Sequence, residues 1–353
     1  MPQLDQQKLD AFLGQFVQDL GATLHAGLIV LGHRLGLYKA LAEADMPLSA
    51  DDLAKRTNTT SRYVEEWLAA QAASGYVTYH PETETFSLTP EQAFALASPD
   101  GPYLPGAFRL ALSVLRAEDA LVDRFRSGRG LGWHEHHDGL FEGTELFFRP
   151  SYVTHLTTSW IPALTGVEER LVRGALVADV GCGHGASTIL MAQSYPQSQF
   201  RGFDYHVPSV EWARQAADRA GVADRVTFEV APAKRFPGEN YDLVTFFDCL
   251  HDMGDPVGAA AHARAALAPG GVWMIVEPMA GDHLEDNINP IGRIYYSAST
   301  MICTPASLSQ EVGLALGAQA GEARLRDVLR QAGFSEVRRA AETPFNIVLE
   351  ARG

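Results

Sequence analysis

Residues 176–185 of this 353-residue chain read LVADVGCGHG, an apolar run that leads directly into Gly181, Gly183 and Gly185. The run predicts a buried strand, and the residues that follow predict a helix from about 186 to 195. Glycines allow a sharp turn between the two and a close approach of backbone to a ligand at the helix N-terminus. The GxGxG spacing differs from that of dinucleotide folds and of phosphate loops. The stretch therefore predicts a ligand-binding strand, loop and helix.

The next predicted strand, residues 199–203, ends in Asp204. An acid at the tip of the second strand of such a unit can accept hydrogen bonds from both hydroxyls of a ribose. Further strands are expected at residues 226–230, 241–247 and 271–277, with helical stretches between them. This alternation predicts an α/β, Rossmann-like parallel sheet over residues 171–353.

The first 100 residues predict a mainly helical domain. Helices are expected at residues 5–20, 35–44 and 62–73, with another capped by Ser49, and two short strands follow near residues 76–79 and 86–88. Three helices and a hairpin are typical of a winged helix. These residues carry six basic and thirteen acidic groups, a net charge of −7. Phosphate contacts need a basic face, so we expect a dimerisation domain that binds no nucleic acid.

Residues 101–170 are punctuated by proline and glycine and predict a helical linker region, with helices near residues 107–126 and 152–164. The whole chain has a net charge of −15 and three cysteines. Its N-terminus lacks the features of a signal peptide, and the longest apolar run is too short to span a bilayer. We expect a cytoplasmic protein without disulfides, nucleic-acid contacts or membrane contacts.

These motifs resemble those of the class I S-adenosylmethionine-dependent methyltransferases. VADVGCGHG is similar to their first motif, and GFDYH, residues 202–206, is similar to the segment with their ribose-binding acid. The resemblance implies S-adenosylmethionine as cofactor and S-adenosylhomocysteine as product. It implies that the glycine loop lies against the methionine part, Asp204 holds the ribose and Tyr205 packs on the adenine. The expected cofactor-binding residues are Asp179, Gly181, Gly183, Gly185, Asp204, Tyr205, Ala233, Phe236 and Asp248.

One position departs from that family. Its members often carry an acid after the third strand that accepts a hydrogen bond from the adenine, and Pro232 stands there in this chain. We expect the backbone of Ala233 and the ring of Phe236 to serve the adenine instead.

His251 follows the fourth predicted strand, at the edge of the sheet where ligands of open α/β folds bind. A histidine there can take a proton from a substrate hydroxyl at neutral pH, or it can merely cap the following turn or contact the cofactor. His251-Asp252-Met253 resembles the His-Asp-Trp of plant-type small-molecule O-methyltransferases, the actinobacterial members most of all. That resemblance implies His251 as general base and a homodimer formed through the N-terminal domain.

The same resemblance implies further residues of the site. Glu277, at the end of the fifth strand, would orient His251, and Glu322 is the nearest candidate for a second acid. Phe148, Tyr152 and His155 have the spacing of the family's acceptor-pocket residues, although the first two can equally be ordinary helix packing. The resemblance thus implies that residues 101–170 form an acceptor-pocket region as well as a helical linker. Met301 lies in a segment, residues 294–303, that would cover the acceptor or form a buried interdomain helix.

The segment WHEHHD, residues 133–138, is rich in potential metal ligands but lacks the HExxH pattern. We expect no metal, and interpret the segment as a loop over the acceptor or a polar surface turn; a two-ligand site at His134 and His137 is a further possibility. His25 and His33 are expected to be buried structural histidines, with a place in the acceptor pocket across a dimer contact as the alternative.

Together these residues and the resemblance imply methyl transfer from S-adenosylmethionine to a hydroxyl of an apolar, aromatic small molecule. N-methylation would use the same cofactor site. The sequence is also compatible with an enzyme that uses the bound cofactor in decarboxylation, hydroxylation or cyclisation, and with a regulator that senses the cofactor without catalysis.

Overall fold

The computed structural model describes residues 4–98 and 101–353. The chain forms two compact units that divide between Leu112 and Ser113. The three regions expected from sequence, with boundaries near residues 100 and 170, stay a prediction.

The first unit is mainly helical. Its helices are α1 (Gln6–Arg34), α2 (Leu37–Ala42), α3 (Ala50–Thr57), α4 (Ser61–Ala73) and α5 (Pro90–Leu96), and α6 (Pro105–Leu115) begins in it. Strands β1 (Thr78–His80) and β2 (Thr85–Ser87) pair in antiparallel register between α4 and α5. The helices and hairpin confirm the predicted winged helix. The side chain of Ser49 caps α3 as expected, accepting a hydrogen bond from the backbone N–H of Asp52 at 3.1 Å.

The first helix is longer than predicted. The apolar periodicity of residues 5–20 marks only part of α1, which continues for 29 residues to Arg34. Only the later turns enter the core, where Ile29 packs with Leu53 and Leu68. The aromatic and aliphatic face of the earlier turns is exposed. His25 is buried against the edge of the Tyr76 ring.

The second unit is an α/β fold. Its helices are α7 (Glu118–Ser127), α8 (Gly139–His155), α9 (Val167–Arg173), α10 (Ala186–Ser194), α11 (Val207–Ala220), α12 (Pro256–Ala266), α13 (Pro290–Ala298), α14 (Thr304–Leu308) and α15 (Glu322–Gln331). Its strands are β3 (Leu176–Val180), β4 (Gln199–Asp204), β5 (Val226–Val230), β6 (Tyr241–Phe247), β7 (Leu267–Pro278), β8 (Glu336–Glu342) and β9 (Asn346–Arg352).

The strands form one seven-stranded sheet in the order β5-β4-β3-β6-β7-β9-β8. The first five strands of that order are parallel, while β9 runs antiparallel to both β7 and β8. Apolar layers cover both faces, one including Val177, Leu243 and Met274 and the other including Ala178, Val244 and Ile275. The Rossmann-like sheet predicted from sequence is confirmed, and the strand order reverses at β3, where such folds bind ligands.

Two predicted helices differ in their bounds. The helix expected over residues 107–126 is two helices, α6 and α7, separated at Arg116 and Ala117. Glu118 and Asp119 open α7, where acidic side chains favour a new helix N-terminus. The helix expected from residue 152 begins at Gly139 instead, runs through Pro150, and passes into a π-helical turn at Leu156–Trp160.

None of the helices in the described part of the chain combines the length and apolar character needed to cross a membrane.

Candidate active site

The glycine loop between β3 and α10 is shaped by backbone conformations that favour glycine. Gly181, Gly183 and Gly185 all have positive φ, at 74°, 51° and 81°. At Gly185 a Cβ atom would also lie 2.6 Å from Cζ of Phe228. The loop therefore needs glycine at this position for both its backbone angle and its packing.

Asp204, at the end of β4, lies against this loop. One of its carboxylate oxygens accepts a hydrogen bond from the backbone N–H of Gly183 at 2.9 Å, and the other accepts one from His206 N–H at 2.8 Å. Burial raises the pKa of Asp204, and these two hydrogen bonds oppose that rise. The carboxylate is thereby fixed beside the loop with lone pairs left for a ligand's hydroxyl groups.

Asp179 lies beneath the loop. Its carboxylate accepts hydrogen bonds from the hydroxyls of Ser187 at 2.7 Å, Thr188 at 2.6 Å and Thr245 at 3.1 Å. Asp179 is 1% exposed and does not border the cavity described next. Its contacts join β3, α10 and β6, so it supports the shape of the loop from below.

A cavity of about 510 Å³ opens above the loop. Both the expected cofactor residues and the expected acceptor residues contribute to its walls, so the two sets are brought together. The expected residues that border it are Gly181, Gly183, Asp204, Tyr205, Ala233, Asp248, Phe148 and Tyr152. Thr144, Phe148 and Tyr152 follow one another at four-residue spacing along α8, which places them on one face of that helix.

Other expected residues lie outside this cavity. Phe236 is fully buried between Phe203 and His262. His155 stacks on Trp160, with ring centroids 5.8 Å apart. Met301 borders a separate apolar groove with Leu121 of α7. Gly185, His251 and Glu277 do not border the cavity either, although the last two lie directly behind one of its walls.

That wall contains a buried cluster of His251, Glu277 and Asp252. Nδ1 of His251 lies 2.5 Å from a carboxylate oxygen of Glu277, and Nε2 lies 3.1 Å from Oδ1 of Asp252. The second oxygen of Glu277 accepts a hydrogen bond from the backbone N–H of Leu250 at 2.9 Å. Burial alone would lower the pKa of His251, but the charges of Glu277 and Asp252 outweigh burial and raise it well above its ordinary value.

Asp248 follows β6 and borders the cavity in a left-handed conformation, with φ 49°. One carboxylate oxygen accepts a hydrogen bond from the side-chain amide of Asn346 at 2.7 Å, and the other has no partner among the described atoms. Burial, and then the neighbouring charge of Glu277, raise the pKa of Asp248 well above its ordinary value.

The second acid near His251 is Asp252 and not Glu322, which corrects the sequence-based candidate. Glu322 lies on α15 and forms ion pairs with Arg326 and Arg339. Asp252 is adjacent to His251 in sequence, and its carboxylate also accepts a hydrogen bond from the indole N–H of Trp133 at 2.8 Å.

The cavity wall includes part of the segment expected to be a loop over the acceptor or a polar surface turn, and two further residues, Glu145 and His184, that sequence reasoning missed. Trp133 and His134 stand on a 3-10 turn, Trp133–Glu135, and both border the cavity. Glu145 on α8 and His184 in the glycine loop also border it and pair with each other at 2.7 Å. The signal that the sequence offers for Trp133 and His134 is the cluster of aromatic and histidine residues at 133–138.

Two groups of potential metal ligands occur in this unit. The ring nitrogens of His137 are engaged by Arg116 and by the backbone N–H of Gly139, so it does not pair with His134 as a ligand set. Donor atoms of His251, Asp252 and Cys303 lie within 4.8 Å of one another. Burial raises the pKa of the Cys303 thiol to about 12, which disfavours the thiolate that metals bind.

Comparison with known proteins agrees with this architecture. Residues 171–333 match the family described as methyltransferase domain, and residues 23–98 match the Rv2258c-like winged HTH domain. Human N-acetylserotonin methyltransferase, solved in complex with S-adenosylmethionine, is 17% identical with a TM-score of 0.72, over 100% of this chain and 99% of that one. Mitomycin 7-O-methyltransferase is 19% identical with a TM-score of 0.68, over 98% of this chain and 100% of that one.

Curated sequence relatives match over shorter stretches. The 27-O-demethylrifamycin SV methyltransferase of Amycolatopsis mediterranei is 35% identical over 100 residues, which are 28% of this chain and 36% of that protein. The match to an uncharacterised Synechococcus protein covers 24% of its length, and that to the ubiquinone biosynthesis O-methyltransferase of Bordetella avium covers 61%. The chain thus spans less than two thirds of each of these relatives.

The sheet order, the glycine loop and the acid at the end of β4 define the class I S-adenosylmethionine-dependent methyltransferase fold. The two family matches, a methyltransferase domain over residues 171–333 and a winged HTH domain over residues 23–98, agree with that fold. The chain therefore joins a winged helix to a methyltransferase domain, as the resemblance implied.

Proposed function

We propose that this protein transfers a methyl group from S-adenosylmethionine to a hydroxyl of an apolar, aromatic small molecule. The observation that carries the proposal is the position of the buried His251–Glu277 pair. It lies behind the wall of a cavity whose floor is the glycine loop. A group able to accept the proton of the acceptor hydroxyl therefore lies next to the region where this fold binds its methyl donor.

The cofactor half of the proposal rests on Asp204 and the loop. When bound, S-adenosylmethionine supplies an electrophilic methyl group on a sulfonium. In this chain, Asp204 would accept hydrogen bonds from the ribose, and Gly181 and Gly183 would bring backbone against the methionine part. Tyr205 borders the same region and would pack on the adenine, with Pro232 and Ala233 beside it. The adenine end would then depend on backbone and apolar contacts.

The acceptor half rests on the apolar character of the remaining wall. Phe141, Phe148 and Tyr152 of α8 border the cavity together with Phe247 and Met253. Aromatic side chains of this kind suit a planar apolar ring, and a small number of polar groups would orient its hydroxyl. Methyl transfer is an in-line displacement, so much of the rate comes from holding the acceptor oxygen in line with the methyl group. The His251–Glu277 pair would contribute the remaining part of the rate enhancement by accepting the proton of the acceptor hydroxyl.

We also propose a homodimer formed through the first unit, with no nucleic-acid partner. The exposed face of α1 includes Phe12, Phe16 and Leu20, with 67%, 55% and 46% of their surfaces accessible. A stripe of large apolar side chains this continuous is typical of an interaction surface. The three cysteines are free thiols, the state that a reducing cytoplasm would maintain.

The experiment begins with calorimetric titration by S-adenosylhomocysteine, with NADH as control. We expect the first ligand alone to bind, and Asp204→Asn to weaken that binding at least tenfold. A screen of phenols by mass spectrometry then follows, in which products should gain one methyl group. His251→Ala should lower kcat by about 10²-fold or more for a weakly acidic phenol. Absence of binding, or products without a methyl group, would overturn the proposal.

A further inference from the structure

Glu145 and His184 form a side-chain pair at the edge of the cavity, beside the glycine loop. Glu145 belongs to α8, His184 stands between Gly183 and Gly185, and both members of the pair border the cavity. Nδ1 of His184 lies 2.7 Å from Oε2 of Glu145, which is hydrogen-bonding distance. The ring of His184 also lies near that of Trp212, with centroids 5.2 Å apart. The pair therefore connects α8 to the glycine loop.

The two oxygens of the Glu145 carboxylate have different surroundings. Oε2 is engaged by His184, whereas Oε1 accepts no hydrogen bond from the residues that the structure describes. The side chain of Glu145 is 24% exposed, in contrast to the buried acids below the loop. A carboxylate can accept about four hydrogen bonds, so Glu145 has lone pairs available for a donor on a ligand.

The other acids near the loop are engaged elsewhere. Asp179 accepts hydrogen bonds from three hydroxyls, is 1% exposed and does not border the cavity. Asp204 is the acid assigned above to the ribose. Asp248 has one oxygen without a partner among the described atoms, but that oxygen is itself buried. Asp252 accepts a hydrogen bond from the indole N–H of Trp133. Glu145 is thus the acid beside the loop that has an oxygen available to a ligand.

The start of α10 decides which charged group of a ligand needs such an acid. Ala186 and Ser187, in the first turn of α10, border the cavity close to the loop. The N-terminus of a helix carries a partial positive charge, which favours a ligand's carboxylate and disfavours its ammonium group. The methionine part of S-adenosylmethionine ends in both groups. Its ammonium group therefore needs an anionic side chain close by, and Glu145 is such a side chain.

Resting on the proposed function, we infer that Glu145 binds the α-ammonium group of S-adenosylmethionine, and that His184 is a positioning residue that orients the Glu145 carboxylate. This inference assigns a side chain of α8 to the donor, outside the β-α-β unit that carries Asp204 and the glycines. Thr144 and Phe148 of the same helix border the cavity as well. Recognition of the donor would therefore use the helix that also forms much of the acceptor wall.

The test compares S-adenosylhomocysteine with 5′-(3-carboxypropyl)thioadenosine, an analogue that keeps the carboxylate and lacks only the ammonium group. Calorimetry of the wild-type chain should show that S-adenosylhomocysteine binds about tenfold to a hundredfold more tightly, as expected for a hydrogen bond between charged groups. Glu145→Gln keeps the size of the side chain and removes its charge. It should abolish most of this preference by weakening the binding of S-adenosylhomocysteine while leaving that of the analogue unchanged.

Two variants of His184 test its positioning role. His184→Ala removes the contact with Glu145 and should lower the preference for S-adenosylhomocysteine, though by less than Glu145→Gln. His184→Asn offers an amide N–H near the place of Nδ1 and should restore most of the preference. Equal preferences in the two variants would overturn the role given to His184. Unchanged binding of the analogue shows in each case that the variant is folded.

Glu142→Gln is the matched control, because Glu142 is exposed on the same helix and does not border the cavity. It removes the same charge and should leave both affinities unchanged. A Glu145→Gln chain that keeps the wild-type preference would overturn the inference, and so would equal losses for the two ligands. Equal affinities of the wild-type chain for both ligands would overturn it while the cofactor assignment stands. If the wild-type chain binds neither ligand, the proposed function fails first, and the inference falls with it.

Discussion

One carboxylate oxygen of Glu277 forms a hydrogen bond with Nδ1 of His251 at 2.5 Å. The other oxygen of Glu277 accepts a hydrogen bond from the backbone N–H of Leu250. Two hydrogen bonds on opposite oxygens fix the carboxylate at the end of β7. The imidazole ring is thereby fixed in turn, and the cluster beside the cavity becomes a rigid unit.

Substitution of Glu277 by glutamine removes one negative charge from this cluster and keeps its shape. The imidazolium that forms when His251 takes a proton would then lack the buried negative charge that stabilises it. We expect kcat to fall by about 10²-fold for a weakly acidic phenol, with little change in S-adenosylhomocysteine binding. Steady-state kinetics measures kcat, and calorimetry measures the binding of S-adenosylhomocysteine. An unchanged kcat would show that the charge of Glu277 has no part in the reaction.

Replacement of Gly185 by alanine should destabilise the second unit. The left-handed backbone costs about 1–2 kcal/mol for any residue with a side chain. The new Cβ would also lie 2.6 Å from Phe228 and 3.0 Å from Ala213, and such crowding costs about a further 1–3 kcal/mol. Gly221→Ala is the control, because its φ is 69° and nothing lies within 4 Å. Urea unfolding should show a clearly larger loss at Gly185, and equal losses would contradict the packing argument.

The apolar face of α1 gives a prediction about assembly. If it forms the dimer contact, the double variant Phe12→Glu and Phe16→Glu should sediment as a monomer where the wild-type chain sediments as a dimer. Tyr63→Glu is the control, since Tyr63 is 82% exposed on α4, away from that face. Analytical ultracentrifugation at several concentrations measures the difference. A dimeric double variant would place the interface elsewhere.

Glu350 on β9 gives a prediction about pH. Its carboxylate is 3% exposed and pairs with Arg338 and Arg352, while the backbone N–H of Thr165 donates to it at 3.1 Å. Burial alone would raise the pKa of Glu350, but these contacts outweigh burial and lower it. The ionised carboxylate therefore stabilises the fold above its unfolded pKa, and that stabilisation is lost as pH falls through the lower folded pKa.

Glu350→Gln should consequently lower the free energy of unfolding by about 2 kcal/mol at pH 7, and the difference from wild type should shrink below about pH 4. The control is Glu342→Gln, whose side chain is 58% exposed and whose ion pair with Arg339 is worth less than about 1 kcal/mol. Chemical denaturation across the pH range provides the comparison. A difference that stays constant with pH would mean that packing, and not charge, makes Glu350 important.

The parallel part of the sheet was predictable because strands such as β3, β4 and β6 are short apolar runs that end at glycine or an acid, with helical periodicity between them. The antiparallel edge strand β8 is mostly polar and gives no such pattern. The winged helix was predictable for the same reason. The length of α1 was not, because its apolar residues beyond Leu20 face the core on a different side from those before it. The separation of α6 from α7 likewise occurs in a stretch whose helical pattern is uninterrupted.

The candidate site likewise contains some features that could be predicted from the sequence and others that could not. The proximity of Gly181, Gly183 and Asp204 to one another was predictable because it follows from their positions along a local β-α-β unit. The contact between Trp133 and Asp252 joins residues 119 positions apart, and no spacing rule reaches across that distance. Met301 and Phe236 were placed near the expected ligands by their order in the chain, and side-chain direction put them elsewhere.

The cavity's two halves have separate origins in the chain. The donor side comes from β3, β4 and the loops after them, and most of the aromatic side comes from α8. Substitutions at residues 144, 148 and 152 of that helix can therefore change the size or polarity of the aromatic side without altering the donor side. Proteins with this architecture could acquire specificity for new acceptors by a few substitutions on this single helix, while the donor side of the cavity remains the same in all of them.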